Sequence, residues 1–135
     1  MTVVVGYVPD PTGFLAVTEA VRQARWRGCA VVVVNTVDEA GYTRPTAADE
    51  VDLDAVRERL RAEGLEHRVE HRPLVPGVQA SDVILEVAEQ EGAELVVVGL
   101  HRRSPVRKAL LGSNAQRVLL EATCPVLAVR APEHP

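Results

Sequence analysis

The chain has 135 residues, 47% of them hydrophobic and 25% charged, a composition that predicts one soluble globular domain with its own core. A formal charge of −4 and only 3% aromatic residues argue against nucleic-acid binding, which needs a basic surface and a stacking platform. No apolar run approaches the ~18 residues of a membrane span, and the opening MTVVVGYV is too short for a signal peptide, so no membrane partner is expected and the chain reads as cytoplasmic.

Val3, Val4 and Val5 ahead of Gly6 read as a short buried strand, and Asp10-Pro11 offers a helix N-cap with proline at the first helical position. Phe14, Val17, Ala20, Val21 and Ala24 then hold a 3.6-residue period, which predicts a helix with one face on the sheet that stops near Gly28. Ala30 to Val34 is a second apolar, β-branched strand, and Asn35-Thr36-Val37-Asp38 carries the chain off its end. Asp38 and Glu39 open a loop through Gly41, Arg44, Pro45 and Thr46 that has no periodicity and is long for a compact domain, making it a candidate lid. Leu53, Val56 and Leu60 predict a mostly solvated helix over roughly Ala48 to Glu63, stopped by Gly64. Leu65 to Arg72 alternates weakly and suits an edge strand. His67 and His71 share a face of it, but no Cys or third His stands near to complete a zinc site, so they are read as surface residues and no metal site is assigned. Pro73, Pro76 and Gly77 mark a turn, and Ala80, Ile84, Val87 and Ala88 define a third helix ending at Gly92.

The stretch from Glu94 to Ala122 carries the chemistry. Leu95 to Val98 is an unbroken apolar run, ended by Gly99, that fits a strand covered on both faces. Further on, Ala115, Val118, Leu119 and Ala122 fall on one helical face behind Ser113, the expected N-cap, with Gln116 placed to complete a capping box. The first turn of that helix would aim N–H groups and its positive dipole end back at the strand end, with Gly112 letting a ligand approach the backbone closely. Between the two lie His101, Arg102, Arg103, Arg107 and Lys108, the only lysine of an acidic chain. An anion is the expected guest. The last strand, Pro125 to Val129, starts at a proline and suits a sheet edge, and the tail from Ala131 is expected to fray. Cys29 and Cys124 each precede a strand and are read as reduced small core residues with no chemistry, although a bridge stays open. Strands alternating with amphipathic helices describe a single doubly wound α/β sandwich, a Rossmann-like open parallel sheet of five strands with about four helices.

The spacing Gly99, two residues, Arg102, nine residues, Gly112-Ser113 resembles the G-x2-G-x9-G-[S/T] nucleotide loop of the universal stress protein family, with Arg102 in place of one glycine. The ending TCPVLAVR is similar to the family's closing strand, and the resemblance runs over nearly the whole chain, taken as one domain, 1–135. It implies an adenine nucleotide alpha hydrolase-like sheet of order 3-2-1-4-5, in which the loops after strands one and four converge. It also implies a nucleotide site, with ATP the expected ligand, at Tyr7, Val8, Asp10, Thr36, Gly99, Arg102, Gly112, Ser113 and Asn114, the backbone around Thr36 facing the adenine. No catalytic residue is assigned. Val8 stands where ATP-binding members usually have aspartate, which weakens the case for Mg²⁺; Asp10 either compensates or is only a helix cap. Arg102 either donates to phosphate or obstructs it. The function implied is a stress-response or regulatory ATP-binding protein, a homodimer through Pro125 to Val129. The alternatives are a nucleotide-free dimeric interaction protein of the same fold, or a slow ATPase or phosphotransferase, against which stand Val8 and the lack of any G-x4-G-K-[S/T] motif.

Overall fold

Valine-rich runs alternating with amphipathic segments leave each interior strand apolar on both sides, and only a parallel sheet clothed by helices on both faces buries such strands. A computed structural model of the chain describes residues 1–37, 50–100 and 112–130. Its elements are β1 (Thr2–Gly6), α1 (Pro11–Arg27), β2 (Ala30–Val37), α2 (Glu50–Ala62), β3 (His67–Pro73), α3 (Ala80–Glu91), β4 (Ala93–Leu100), α4 (Ser113–Glu121) and β5 (Val126–Arg130). The strands form one sheet in the order β3-β2-β1-β4-β5, every neighbouring pair parallel. The central register sets Val4 against Val32 on one side and Val96 on the other. The candidate lid, the basic residues His101, Arg102, Arg103, Arg107 and Lys108, and the tail from Ala131 lie outside the described residues.

The twofold period of the strands sorts their side chains into two cores. Val3, Val5, Val31, Val33, Leu95 and Val97 face α1 and α2. Val4, Val32, Val34, Val96 and Val98 face α3 and α4. Each valine fully withdrawn from water in this way contributes roughly 1.5 to 3 kcal/mol.

Several boundaries and faces differ from the sequence reading. Gly99 does not end β4; it pairs with Val129, and the ladder with β5 carries the strand on to Leu100. Pro73 closes β3 instead of opening the turn, which an edge strand tolerates because no neighbour beyond it needs the missing N–H. Phe14 lies 45% exposed, since the buried stripe of α1 runs through Thr12, Gly13, Ala16, Val17, Ala20, Val21 and Ala24 and passes beside it; its ring stands T-shaped to Tyr7, with centroids 5.8 Å apart. Leu119 is likewise 39% exposed, while Ala122 is the C-cap of α4 and still packs on the second core. Both cysteines are free.

The junction from β1 into α1 is tight. Asp10 is the N-cap, its carboxylate accepting from the Gly13 N–H at 2.7 Å and its carbonyl from the Phe14 N–H at 3.0 Å. The Val8 carbonyl accepts from the Asp10 N–H at 2.8 Å. Gly13 is packed against that peptide so closely that an added Cβ would lie 1.7 Å from the Val8 carbonyl oxygen. Alanine in place of glycine gains up to ~1 kcal/mol of helix propensity, but relieving this overlap means moving the whole turn at a cost of about 1–3 kcal/mol. Gly13→Ala is therefore expected to destabilise the protein by about 1–2 kcal/mol, measured as a lowered midpoint in urea unfolding with unchanged slope.

Candidate functional site

β1 and β4 are neighbours, yet their outgoing helices take opposite faces of the sheet, α1 on one core and α4 on the other. The chain therefore opens a crevice between these two strand ends, the position at which open α/β sheets receive ligands. Tyr7, Val8 and Asp10 leave β1 at this edge. Gly99 is next to last in β4. Because α4 runs back antiparallel to the strands and returns the chain to Val126 opposite Val96, its first residues, Gly112, Ser113 and Asn114, sit at the same edge. Thr36 is displaced sideways, in β2 opposite Arg72 of β3. Arg102 lies outside the described residues.

Ser113 is not the N-cap of α4. That position is Gly112, with φ −63° and ψ 157°, its carbonyl accepting from the Gln116 N–H at 2.9 Å. Ser113 is already helical, so its hydroxyl cannot close a capping box with Gln116. The change matters for chemistry. A glycine cap has no side chain to turn onto the first-turn N–H groups, and that turn carries no acidic residue. Among the described residues, an added Cβ on Gly112 would meet nothing within 4 Å.

The starts of α1 and α3 are closed by the chain itself. Asp10 caps α1. At α3, the Asp82 carboxylate accepts from the Gln79 N–H at 2.7 Å, and the Asn114 side-chain oxygen accepts from the Ser81 N–H at 3.0 Å. Asn114 is thus turned toward α3. Arg117 bonds both Asp82 and Glu121, fixing α4 against α3. Among the helices whose N-caps are described, α4 alone has a cap with no side chain, so no described side chain closes its first turn, and its positive dipole end favours an anion.

The Gln79 N–H, and then Arg117, hold the Asp82 carboxyl below the usual carboxylate range. At the opposite edge of the sheet, burial and then the Glu94 carboxylate push the Cys29 thiol up, so it stays protonated and donates to Glu94. A shallow cleft lined by Arg25, Gly28, Cys29 and Glu63 opens there, at the far end of the strands. Among the described residues no group of three or more His, Cys, Asp or Glu is placed to hold a metal ion, and no helix is long and apolar enough to cross a membrane.

Sequence reasoning did not single out Gly13, Asn35 or Arg117. Asn35 could have been noticed as the one amide closing a run of four valines. Gly13 depends on the fold of the turn that brings it onto the Val8 peptide, and Arg117 on Asp82, 35 residues away.

The family model "Universal stress protein family" matches residues 1–130. The chain belongs to the universal stress protein family. A universal stress protein from Mycolicibacterium smegmatis is 37% identical over 128 residues, covering 95% of this chain and 96% of the relative. Among solved universal stress protein structures, one in complex with cAMP is 26% identical with a TM-score of 0.71, covering 98% of each chain. One from Archaeoglobus fulgidus in complex with dAMP is 27% identical with a TM-score of 0.62, covering 96% of this chain and 97% of the other.

Two outcomes follow for this universal stress protein. A carboxyl with a depressed folded-state pKa adds stability above its unfolded value, ~3.9, and loses it as pH falls through the folded value. The stability gap between the parent and Asp82→Asn should accordingly be full at neutral pH and close as the solution is acidified below about pH 4, in urea unfolding at stepped pH. Gly112→Val should leave the unfolding midpoint within about 0.5 kcal/mol, while an anion taken up at this helix start should be bound at least ~10-fold more weakly than by the parent, read by titration calorimetry.

Proposed function

We propose that this universal stress protein binds an adenine nucleotide, ATP in the first instance, and acts as a stress-response or regulatory binding protein. The phosphates would lie at the bare first turn of α4, and the base toward the β2 end near Thr36. The glycine-capped start of α4, open where α1 and α3 are closed, carries the reading. The relatives solved with cAMP and dAMP support an adenine nucleotide as the ligand class. Asp10 is engaged as the α1 cap and Val8 offers no oxygen beyond its backbone. The counter-charge would therefore come from Arg102, Arg103 and Lys108, and binding would depend little on Mg²⁺.

The test is to denature the purified protein, identify any released nucleotide by mass spectrometry, and titrate ATP and AMP with Mg²⁺ and with chelator. Binding that persists in chelator and falls with added salt is the expected result. No released nucleotide together with no heat of binding would overturn the reading, and binding abolished by chelator would overturn its metal-independent form.

A homodimer formed through β5 belongs to the same proposal. β5 is an edge strand whose Val126, Leu127 and Val129 are only half-buried, beside α4 with Leu119 and Leu120 exposed, and an edge of this kind is normally covered. Light scattering at tens of micromolar should give twice the chain mass; a monomer there would count against it.

A further inference from the structure

β1 ends at Gly6, but its link to β2 continues one residue further through a side chain. The Tyr7 N–H donates to the Val34 carbonyl at 2.8 Å, and the Tyr7 carbonyl accepts from the Asn35 side-chain nitrogen at 2.9 Å. Asn35 is 1% exposed. With its nitrogen turned to a carbonyl, the amide must present its oxygen on the other side, and there His71 of β3 stands with Nδ1 3.0 Å from Oδ1. An amide oxygen only accepts, so the His71 ring carries its proton on Nδ1. His71 itself is exposed. One buried amide therefore spans three adjacent strands at the ligand-receiving edge.

This linkage sets the direction of a backbone donor. The described peptides are trans, so the Val8 N–H points opposite to the Tyr7 carbonyl, away from β2 and onto the β4 side of β1. Gly13 adds no side chain over it, where a Cβ would lie 3.0 Å from the Val8 nitrogen.

We propose that Asn35 and His71 are positioning residues for the nucleotide site: the Asn35 amide, oriented by His71, holds the Tyr7–Val8 peptide so that the Val8 N–H is presented to the ligand. The ligand half of this statement rests on the nucleotide reading above; the orientation half does not.

Imidazole ¹⁵N spectra of the full chain at a pH of about 8.5, above the ordinary imidazole range, should show His71 protonated on Nδ1, reverting toward Nε2 in Asn35→Val. Added AMP should shift the Val8 amide resonance of the parent. Asn35→Val should weaken AMP binding about tenfold and His71→Ala about threefold, with His71→Gln, which can still donate to the amide, restoring it to within about twofold. If Asn35→Val does not fold, the exposed His71 pair of variants decides. A parent His71 protonated on Nε2 would overturn the proposal, as would a Val8 amide unmoved by AMP. Equal AMP affinity in parent and variants would remove the positioning role alone. A parent that takes up neither AMP nor ATP would remove the nucleotide reading, and the Val8 donor with it.

Discussion

Where a parallel strand leaves its sheet, the next backbone groups lose the ladder that satisfied them, and each must find another partner or face a ligand. The candidate site of this universal stress protein is built from the different answers its strand ends give. At β1 the answers are internal: Asn35 takes the Tyr7 carbonyl, Asp10 takes the Gly13 N–H, and the Asp10 N–H takes the Val8 carbonyl. At the start of α4, Gly112 contributes no side chain at all. The edge thus combines internally tied backbone at β1 with a helix start whose cap residue has no side chain, a combination suited to pre-organised anion recognition.

The two helices on the α4 side are joined by charge as well as by apolar packing. Arg117 reaches from α4 to Asp82 in the first turn of α3, and Asn114 reaches from α4 to the Ser81 N–H. These contacts close the α3 start and at the same time fix where the α4 start points. One set of side chains therefore silences one dipole and aims the other. Because Asp82 and Arg117 are partly exposed, the Coulomb energy between them is screened, and their value is orientation more than stability.

Much of this was legible in the residue order. Valine runs of three and four residues with helical periods between them can hardly fold otherwise, and the order 3-2-1-4-5 came from the family resemblance carried by Gly99, Gly112 and Ser113. Asp10-Pro11 was readable because a cap and its helix are neighbours in sequence. The misreadings share a cause. Ser113 looked like a cap because serine prefers that position, but the helix starts one residue earlier, at a glycine whose value is what it lacks. Phe14 obeyed the period of α1, yet the buried stripe runs through its neighbours Thr12 and Gly13, a small residue that hydropathy does not mark as core. Asn35 and Arg117 work through partners 28 and 35 residues away, which no local pattern encodes.

The choice of cation has a practical side. Every ion pair among the described residues uses arginine, while the chain's single lysine, Lys108, belongs to the segment between β4 and α4. Amine-directed acylation would thus leave these pairs untouched and reach one side chain plus the amino terminus. A fluorophore introduced this way would report from two known points of the sequence, the amino terminus and the segment that joins β4 to α4, without mutating the chain.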